Sequence, residues 1–228
     1  MHSLTYTEEN YLKAIYTIQD ANESNEVSVN EIAERMQTRP ATVTDMLRKL
    51  SEKTLIHYEK YKKVQLTKLG KKEALGILWK HSLWETFLHK KLNFSWDEVH
   101  EVAEQLEHIQ SQKLIDRLDE YLEFPEYDPH GDPIPKQNGE IPVSTAQALS
   151  KATIGKQYKV VAVKDTSTTF LQQLERYDLQ IGSQLSIIER MPYDNSITVK
   201  TKKGVTFQLS EKIASNLLAI WLFYFLFL

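Results

Sequence analysis

The chain has 228 residues, 41% hydrophobic and 26% charged, which is enough to bury a real core and to form two or three small domains. It contains no cysteine, which excludes disulfides and thiolate-bound zinc or iron–sulfur sites and fits a reducing cytoplasm. The net charge of −3 is unevenly spread: Asn30 to Lys72 holds 11 Lys/Arg against 5 Asp/Glu, and Asn93 to Glu140 holds 3 against 13. The basic stretch suits a polyanion and the acidic one suits cations. No apolar run approaches the length of a bilayer span, and Met1-His2-Ser3-Leu4-Thr5 lacks the features of a secretory signal, so no membrane partner is expected.

In chain order, Thr7 reads as an N-cap with Glu8 and Glu9 in the first turn of a helix whose apolar stripe is Tyr11, Leu12, Ile15, Tyr16 and Ile18. Val27-Ser28-Val29 reads as extended, and Asn30 as the cap of a second helix carrying Ile32, Ala33 and Met36. After Thr38-Arg39-Pro40, residues Ala41 to Lys53 are helical with Val43, Met46, Leu47 and Leu50 inward. Leu55 to Lys60, a turn at Tyr61-Lys62-Lys63, and Val64 to Thr67 then alternate as a hairpin. Helix, helix, turn, helix, hairpin is the order of a winged helix-turn-helix. The third helix would enter a DNA major groove with Thr38, Arg39, Pro40, Ala41, Thr42, Thr44 and Asp45 nearest the base edges. Arg39 can donate two hydrogen bonds to a guanine edge, and Lys60, Lys62 and Lys63 on the hairpin would meet phosphates.

From about Lys71 to Phe124 the pattern is helical throughout, with a break at Asn93-Phe94-Ser95-Trp96 and Ser95 as the next N-cap. Here His81 and Glu85 form an i,i+4 pair, and His100, Glu104, Glu107 and His108 fall within about 100° of one helix face. Glu and His on an amphipathic helix are ordinarily solvated surface. Two such clusters on consecutive helices, flanked by Leu83, Trp84, Phe87, Leu88, Val99, Val102 and Leu106, have instead the composition of a divalent-cation site. The four prolines between Pro125 and Pro135 exclude a helix there. Beyond about Ser144, strand-like runs at Tyr158–Val163, Gln184–Glu189, Ser196–Val199 and Val205–Leu209, with one helical piece from Thr169 to Arg176, read as a small closed β-barrel. Ala219 to Leu228 reads as a last strand with an apolar tail, too short to span a membrane.

Taken together these segments resemble the diphtheria-toxin-repressor family of metal-dependent transcriptional regulators, which has iron-responsive and manganese-responsive branches. Thr7 to Tyr16 resembles the family's first helix, Tyr58 to Tyr61 with Leu66 to Lys72 its wing, His81 to Glu85 and His100 to His108 its ligand helices, His130 to Pro135 its connector, and Ile181-Gly182-Ser183 a turn of its SH3-like domain. The resemblance implies an α+β multidomain chain. Its parts would be an N-terminal winged helix-turn-helix over 1–72, an all-α metal-binding and dimerisation domain with the connector over 73–143, an SH3-like barrel over 144–222, and the apolar tail 223–228. It further implies no enzyme but a cytoplasmic homodimer that represses metal-uptake genes at a double-stranded DNA operator.

Two cation sites per chain are implied, one from His81, Glu85 and His100, the other from Glu104, Glu107 and His108 with a side chain of the first helix. Iron-type members carry cysteine where this chain has Glu104, so Mn(II) is the first choice and Fe(II) the second. Where iron-type members have methionine and manganese-type members aspartate, this chain has Asn10, a neutral amide, and Lys13 stands where some members have a further glutamate. Glu9 or a water is the substitute considered for Asn10. Two alternatives remain at this stage. One is a winged-helix regulator answering an organic ligand; the other is a helix-bundle two-metal carboxylate enzyme, which would need Glu-x-x-His pairs that the chain lacks.

Overall fold

The structure is a computed structural model that describes residues 4–22, 24–59 and 62–222. Its contacts gather into two compact units. The first comprises Met1–Trp84, Ala103–Asp119 and Pro135–Ile141, the second Glu85–Val102, Glu120–Ile134 and Pro142–Leu228.

The first unit opens with α1 (Tyr6–Ala21). Its cap is Thr5 rather than Thr7, because Glu8 lies at the third position from Thr5. The Glu8 amide donates to the Thr5 hydroxyl at 3.3 Å, and the Glu8 carboxylate accepts from the Thr5 amide at 2.8 Å. The same capping box moves the start of α2 (Val29–Arg35) from Asn30 to Ser28, with Glu31 as the reciprocal partner. Val27 pairs instead with Val64 of the wing. Between α2 and α3 (Pro40–Glu52), Gln37 takes the left-handed conformation at φ 48°, and the Thr38 amide donates to Ala33 O at 2.9 Å, which closes α2. Pro40 at the first position of α3 loses no intrahelical bond there. Val43, Leu47 and Leu50 turn inward from α3 and share a core with Leu12, Ile15, Ile32, Ile56 and Val64. The wing is β1 (Ile56–His57) antiparallel to β2 (Gln65–Leu66).

Three helices follow: α4 (Lys68–Leu92), α5 (Val99–Leu106) and α6 (Gln112–Tyr121). The unbroken helix expected after Trp96 is interrupted, since α5 ends at Leu106 and Glu107 and His108 occupy a turn. The single ligand face drawn from 3.6-residue periodicity therefore ends at Glu104. In the first turn of α4, Gly70 passes so close to β1 that a Cβ would lie 1.9 Å from Leu55 O, whereas a Cβ on Gly76 would meet nothing within 4 Å.

The second unit contains a six-stranded antiparallel sheet in the order β3-β8-β4-β5-β6-β7. The strands are β3 (Gln147–Ala148), β4 (Gln157–Val163), β5 (Gln184–Arg190), β6 (Ile197–Thr201), β7 (Thr206–Leu209) and β8 (Leu217–Trp221). Bulges at Val160/Ala162 and Ile187/Glu189 bend the sheet about a core that includes Trp96, Tyr158, Leu171, Ile187 and Leu217. A 3₁₀ turn (Leu149–Lys151), α7 (Thr168–Arg176) and α8 (Glu211–Asn216) complete it. The short α8 escapes a periodicity reading; Ser210 caps it by accepting from the Ile213 amide, and the last strand starts at Leu217 rather than Ala219. The connector is stitched to β4, where the Val163 amide donates to His130 O at 2.9 Å. Gly131, at φ 83°, approaches Val161 O so closely that a Cβ would stand 1.9 Å away. The apolar tail 223–228 lies outside the described residues. Among those described, no helix is long and apolar enough to cross a membrane.

Two alanine substitutions in α4 should therefore move stability in opposite directions. Gly70→Ala overpacks against backbone and should cost about 1–3 kcal/mol, while Gly76→Ala should add about 0.5–1 kcal/mol. Urea midpoints of the metal-free protein measure both.

Candidate functional site

In the first unit the turn after α5 presents Glu107, which is fully buried. Lys13 of α1 donates to both of its carboxylate oxygens, at 2.7 and 2.8 Å, and His81 Nδ1 lies 2.6 Å from Oε2. Lys13 also stands 3.5 Å from the half-exposed Glu104. Burial alone would raise the Glu107 pKa, but the His81 hydrogen bond and the Lys13 ammonium outweigh it and hold the carboxyl below its ordinary value. His108 is buried beside it, its Nδ1 2.5 Å from Glu9 Oε2 and its ring stacked on Tyr6 at 4.5 Å. Gln110 donates to the other Glu9 oxygen at 2.9 Å. Glu9, then, is the α1 carboxylate that meets His108. Asn10 is half-buried and makes no side-chain hydrogen bond among the described residues.

In the second unit Glu85 is buried between two histidines, His100 Nδ1 at 3.1 Å and His130 Nδ1 at 3.4 Å. His81 stands one turn before Glu85 on α4. His130 Nε2 donates to Trp96 O at 2.6 Å, and Asp128 Oδ1 accepts from the amides of His130 and Asp132 at 2.9 and 3.0 Å. Loss of hydration, reinforced by the Glu85 and Asp132 charges, raises the Asp128 pKa. Burial pulls His130 down, but Glu85 and Asp128 together push it above its ordinary value.

The donors of both clusters are ring nitrogens and carboxylate oxygens, the chemistry of hard and borderline dications. The Glu85 cluster fits such an ion. At Glu107 the oxygens are already taken by Lys13, so a cation there has to displace the ammonium from at least one of them.

The predicted DNA-facing residues lie on the outer side of α3 and its approach. Arg39, Pro40, Ala41, Thr42 and Asp45 are exposed, and Thr38 and Thr44 half-buried. Thr44 Oγ1 donates back to Pro40 O, and Asp45 pairs with Arg48 at 3.5 Å. Lys62 and Lys63 are exposed, the former beside Glu59 and the latter 3.7 Å from Glu26; Lys60 lies outside the described residues.

Three family profiles cover most of the chain: iron dependent repressor, N-terminal DNA binding domain, over residues 3–64; iron dependent repressor, metal binding and dimerisation domain, over 67–136; and FeoA domain over 147–219. A manganese-dependent transcriptional repressor solved in complex with manganese is 34% identical, with 94% of this chain and 100% of that one covered at a TM-score of 0.85. ScaR with bound Cd2+ is 32% identical over 94% of this chain and 99% of that one, with a TM-score of 0.76. The diphtheria toxin repressor of Corynebacterium diphtheriae is 26% identical over 95% of this chain and 98% of its own.

The chain belongs to the iron-dependent repressor family. The α+β multidomain fold expected from the sequence follows: a winged helix-turn-helix, a helical metal-binding and dimerisation domain, and an SH3-like FeoA domain. The family is one of transcriptional repressors, which sets aside the two-metal enzyme.

Sequence reasoning missed the parts of these clusters that come from outside the ligand helices. From the sequence Lys13 reads only as a missing glutamate, and His130 and Asp128 only as part of the connector. A histidine within four residues of two aspartates in a non-helical, proline-rich segment was the available signal.

In chelator-treated protein, Lys13→Met leaves the buried Glu107 with only histidine partners, His81 at 2.6 Å and His108 at 3.8 Å, and should lower stability by about 1–3 kcal/mol. Because the folded Glu107 pKa is depressed, its contribution is present above the unfolded value of about 4.3 and is lost as pH falls through the folded one. Lys13→Met should therefore shift acid unfolding to higher pH. An unchanged urea midpoint and an unchanged acid transition would show that the ion pair contributes nothing.

Proposed function

We propose that this chain is a cytoplasmic homodimer that represses metal-uptake genes by binding a double-stranded operator when Mn(II), or second Fe(II), is bound. The observation that carries this reading is that α1 belongs to the DNA-binding core while its Glu9 and Lys13 reach the ligand-bearing turn at Glu107 and His108. The proposed organisation is 1–72 for DNA binding, 73–143 for metal binding and dimerisation, and 144–222 for the SH3-like domain.

His81, Glu85 and His100 are proposed to hold one cation, and Glu104, Glu107 and His108 the other, with Glu9 of α1 rather than Asn10 completing the set. The cation supplies positive charge among carboxylates that otherwise depend on histidine and Lys13. Glu9 and Lys13 sit one turn apart on α1, so a change in the partners of Glu107 bears directly on that helix. Leu12 and Ile15 share the core of Val43 and Leu47, which passes the change to α3. In a dimer, two α3 helices at a fixed spacing match successive major-groove half-sites. Arg39 then donates to a guanine edge, Thr42 and Thr44 meet phosphates or thymine methyls, and Lys60, Lys62 and Lys63 meet phosphates.

Gel-shift titrations of the family's metal-uptake operators with Mn(II), Fe(II) and chelator test the reading. A coupling of about 1–3 kcal/mol gives about 5–150-fold tighter binding with metal, and equal affinity in both conditions refutes it. The metal effect should fade below neutral pH, since histidine ligands must be unprotonated. Arg39→Ala should cost about 1–3 kcal/mol at one base position, whereas Lys63→Ala should weaken all sequences alike and reduce the salt slope by about 1.

A further inference from the structure

We propose that the outer face of the sheet formed by β4, β5 and β6 is a second, sequence-independent contact for duplex DNA, in which Lys159, Lys200 and Lys202 meet backbone phosphates. The proposal rests on the repressor reading above, and it adds a surface in the second unit to the recognition helix and wing of the first.

Its first support is where the charge lies. The chain carries a net charge of −3, yet residues 144–222 hold 10 Lys/Arg against 6 Asp/Glu, a local +4. Strand register gathers part of that charge. Tyr158, Leu185 and Val199 point into the core, so the residues that alternate with them point away from it. One outward row across the sheet is Lys159, Gln184 and Lys202, the Lys202 amide donating to Gln184 O at 2.9 Å. The adjacent row is Gln157, Ser186, Lys200 and Thr206. Residues two apart along a strand are separated by about 6.6 Å and neighbouring strands by about 4.8 Å, so the three lysines are rooted within about 12 Å of one another.

Local structure does not account for them. Lys203, the next residue, is paired with Asp178, whereas Lys159, Lys200 and Lys202 have no carboxylate partner among the described residues. Lysine on a sheet commonly protects an edge strand from pairing with another chain. Here the edges are β3 and β7, and β4 and β6 lie inside the sheet. Lysine is also a poor strand former, and like charges gathered on one face repel unless a polyanion covers them. A carboxylate of this face, Glu189, stands opposite Thr198 on the far side of the β5 bulge.

Composition selects duplex DNA among polyanions. Glutamine, serine and threonine side chains donate to phosphate oxygens, and Gln157, Gln184, Ser186 and Thr206 flank the lysines. No aromatic side chain stands in either row, so the stacking platform that a single strand uses is missing. Surfaces that bind proteins are enriched in aromatic residues and depleted of lysine, which disfavours an acidic protein as the occupant. Ammonium groups on flexible stems contact phosphates without reading base edges, so this contact is the same for every sequence.

The test uses full-length, Mn(II)-loaded protein and a random-sequence duplex, with affinity followed by fluorescence anisotropy from about 50 to 200 mM KCl. Lys159→Gln, Lys200→Gln and Lys202→Gln together should flatten the slope of log affinity against log salt by about 2.7, or about 0.9 for each phosphate contact. Each substitution alone should give about a third of that loss. The metal-free urea midpoint and the Mn(II) affinity should stay at the parent values. An equal-charge control replaces Lys151, Lys164 and Lys212, exposed lysines of the same domain outside the two rows, with glutamine and should change the slope by less than about 1. An unchanged slope in the sheet-face variant overturns the proposal and leaves the repressor reading standing. A control that loses as much slope also overturns it, because net charge then explains both results. A sheet-face variant that keeps its slope on duplex DNA but loses affinity for poly-L-glutamate assigns the surface to an acidic polypeptide and overturns the duplex contact. Equal operator affinity of the parent with Mn(II) and with chelator refutes the repressor reading, while a loss of slope on random-sequence DNA still supports the sheet face.

Discussion

Glu8, Glu9, Glu85 and Glu107 are each at most 4% exposed, and an ionised carboxylate taken out of water loses several kcal/mol of hydration unless a cation or donor replaces it. Every one of the four has such a partner: Lys53 on Glu8 at 2.6 Å, His108 and Gln110 on Glu9, His100 and His130 on Glu85, Lys13 and His81 on Glu107. Buried pairs of this kind add little net stability over apolar packing, yet breaking one is costly. Their effect is to dictate which surfaces meet, and in this chain they join segments that apolar packing alone would leave free to slide.

That constraint explains why α1 looks unlike an ordinary core helix. One side carries Leu12 and Ile15 into the same core as α2, α3 and the wing, and the other carries Glu9 and Lys13 to the turn after α5. A helix held on both sides by close packing shifts as a body rather than bending locally. Through Leu12 and Ile15, α1 shares its core with Val43 and Leu47 of α3, so the contacts of Glu9 and Lys13 and the packing of α3 lie on one helix.

The elements that apolar periodicity governs were legible in the sequence: α3, the wing, and the strands through Val160, Ile187, Val199 and Leu209. The caps slipped to Thr5 and Ser28 because a glutamate at the third position decides between adjacent cap candidates, and that rule weighs more than a hydroxyl beside an apolar run. Helical spacing extends the face to Glu107 and His108, whereas the helix stops at Leu106, because spacing carries no signal for where a helix ends without glycine or proline. Partners from afar were not legible at all. Lys13 and Glu107 are 94 residues apart, and only a fold that buries Glu107 makes an ammonium there necessary.

Charge balance gives the Asn10 substitution a physical meaning. Glu9, Glu104 and Glu107 bring three negative charges around His108, and Lys13 returns one positive charge, which leaves the charge of a single dication to be matched. An aspartate at position 10 would leave one negative charge more than a dication and Lys13 together can neutralise. A neutral amide there restores the balance, provided that Lys13 stays beside Glu104 and gives up only one oxygen of Glu107. On this arithmetic Lys13 is part of the electrostatics of the cluster and not a defect in it, and its ion pair with Glu107, with that of Glu9 and His108, ties α1 to the turn after α5.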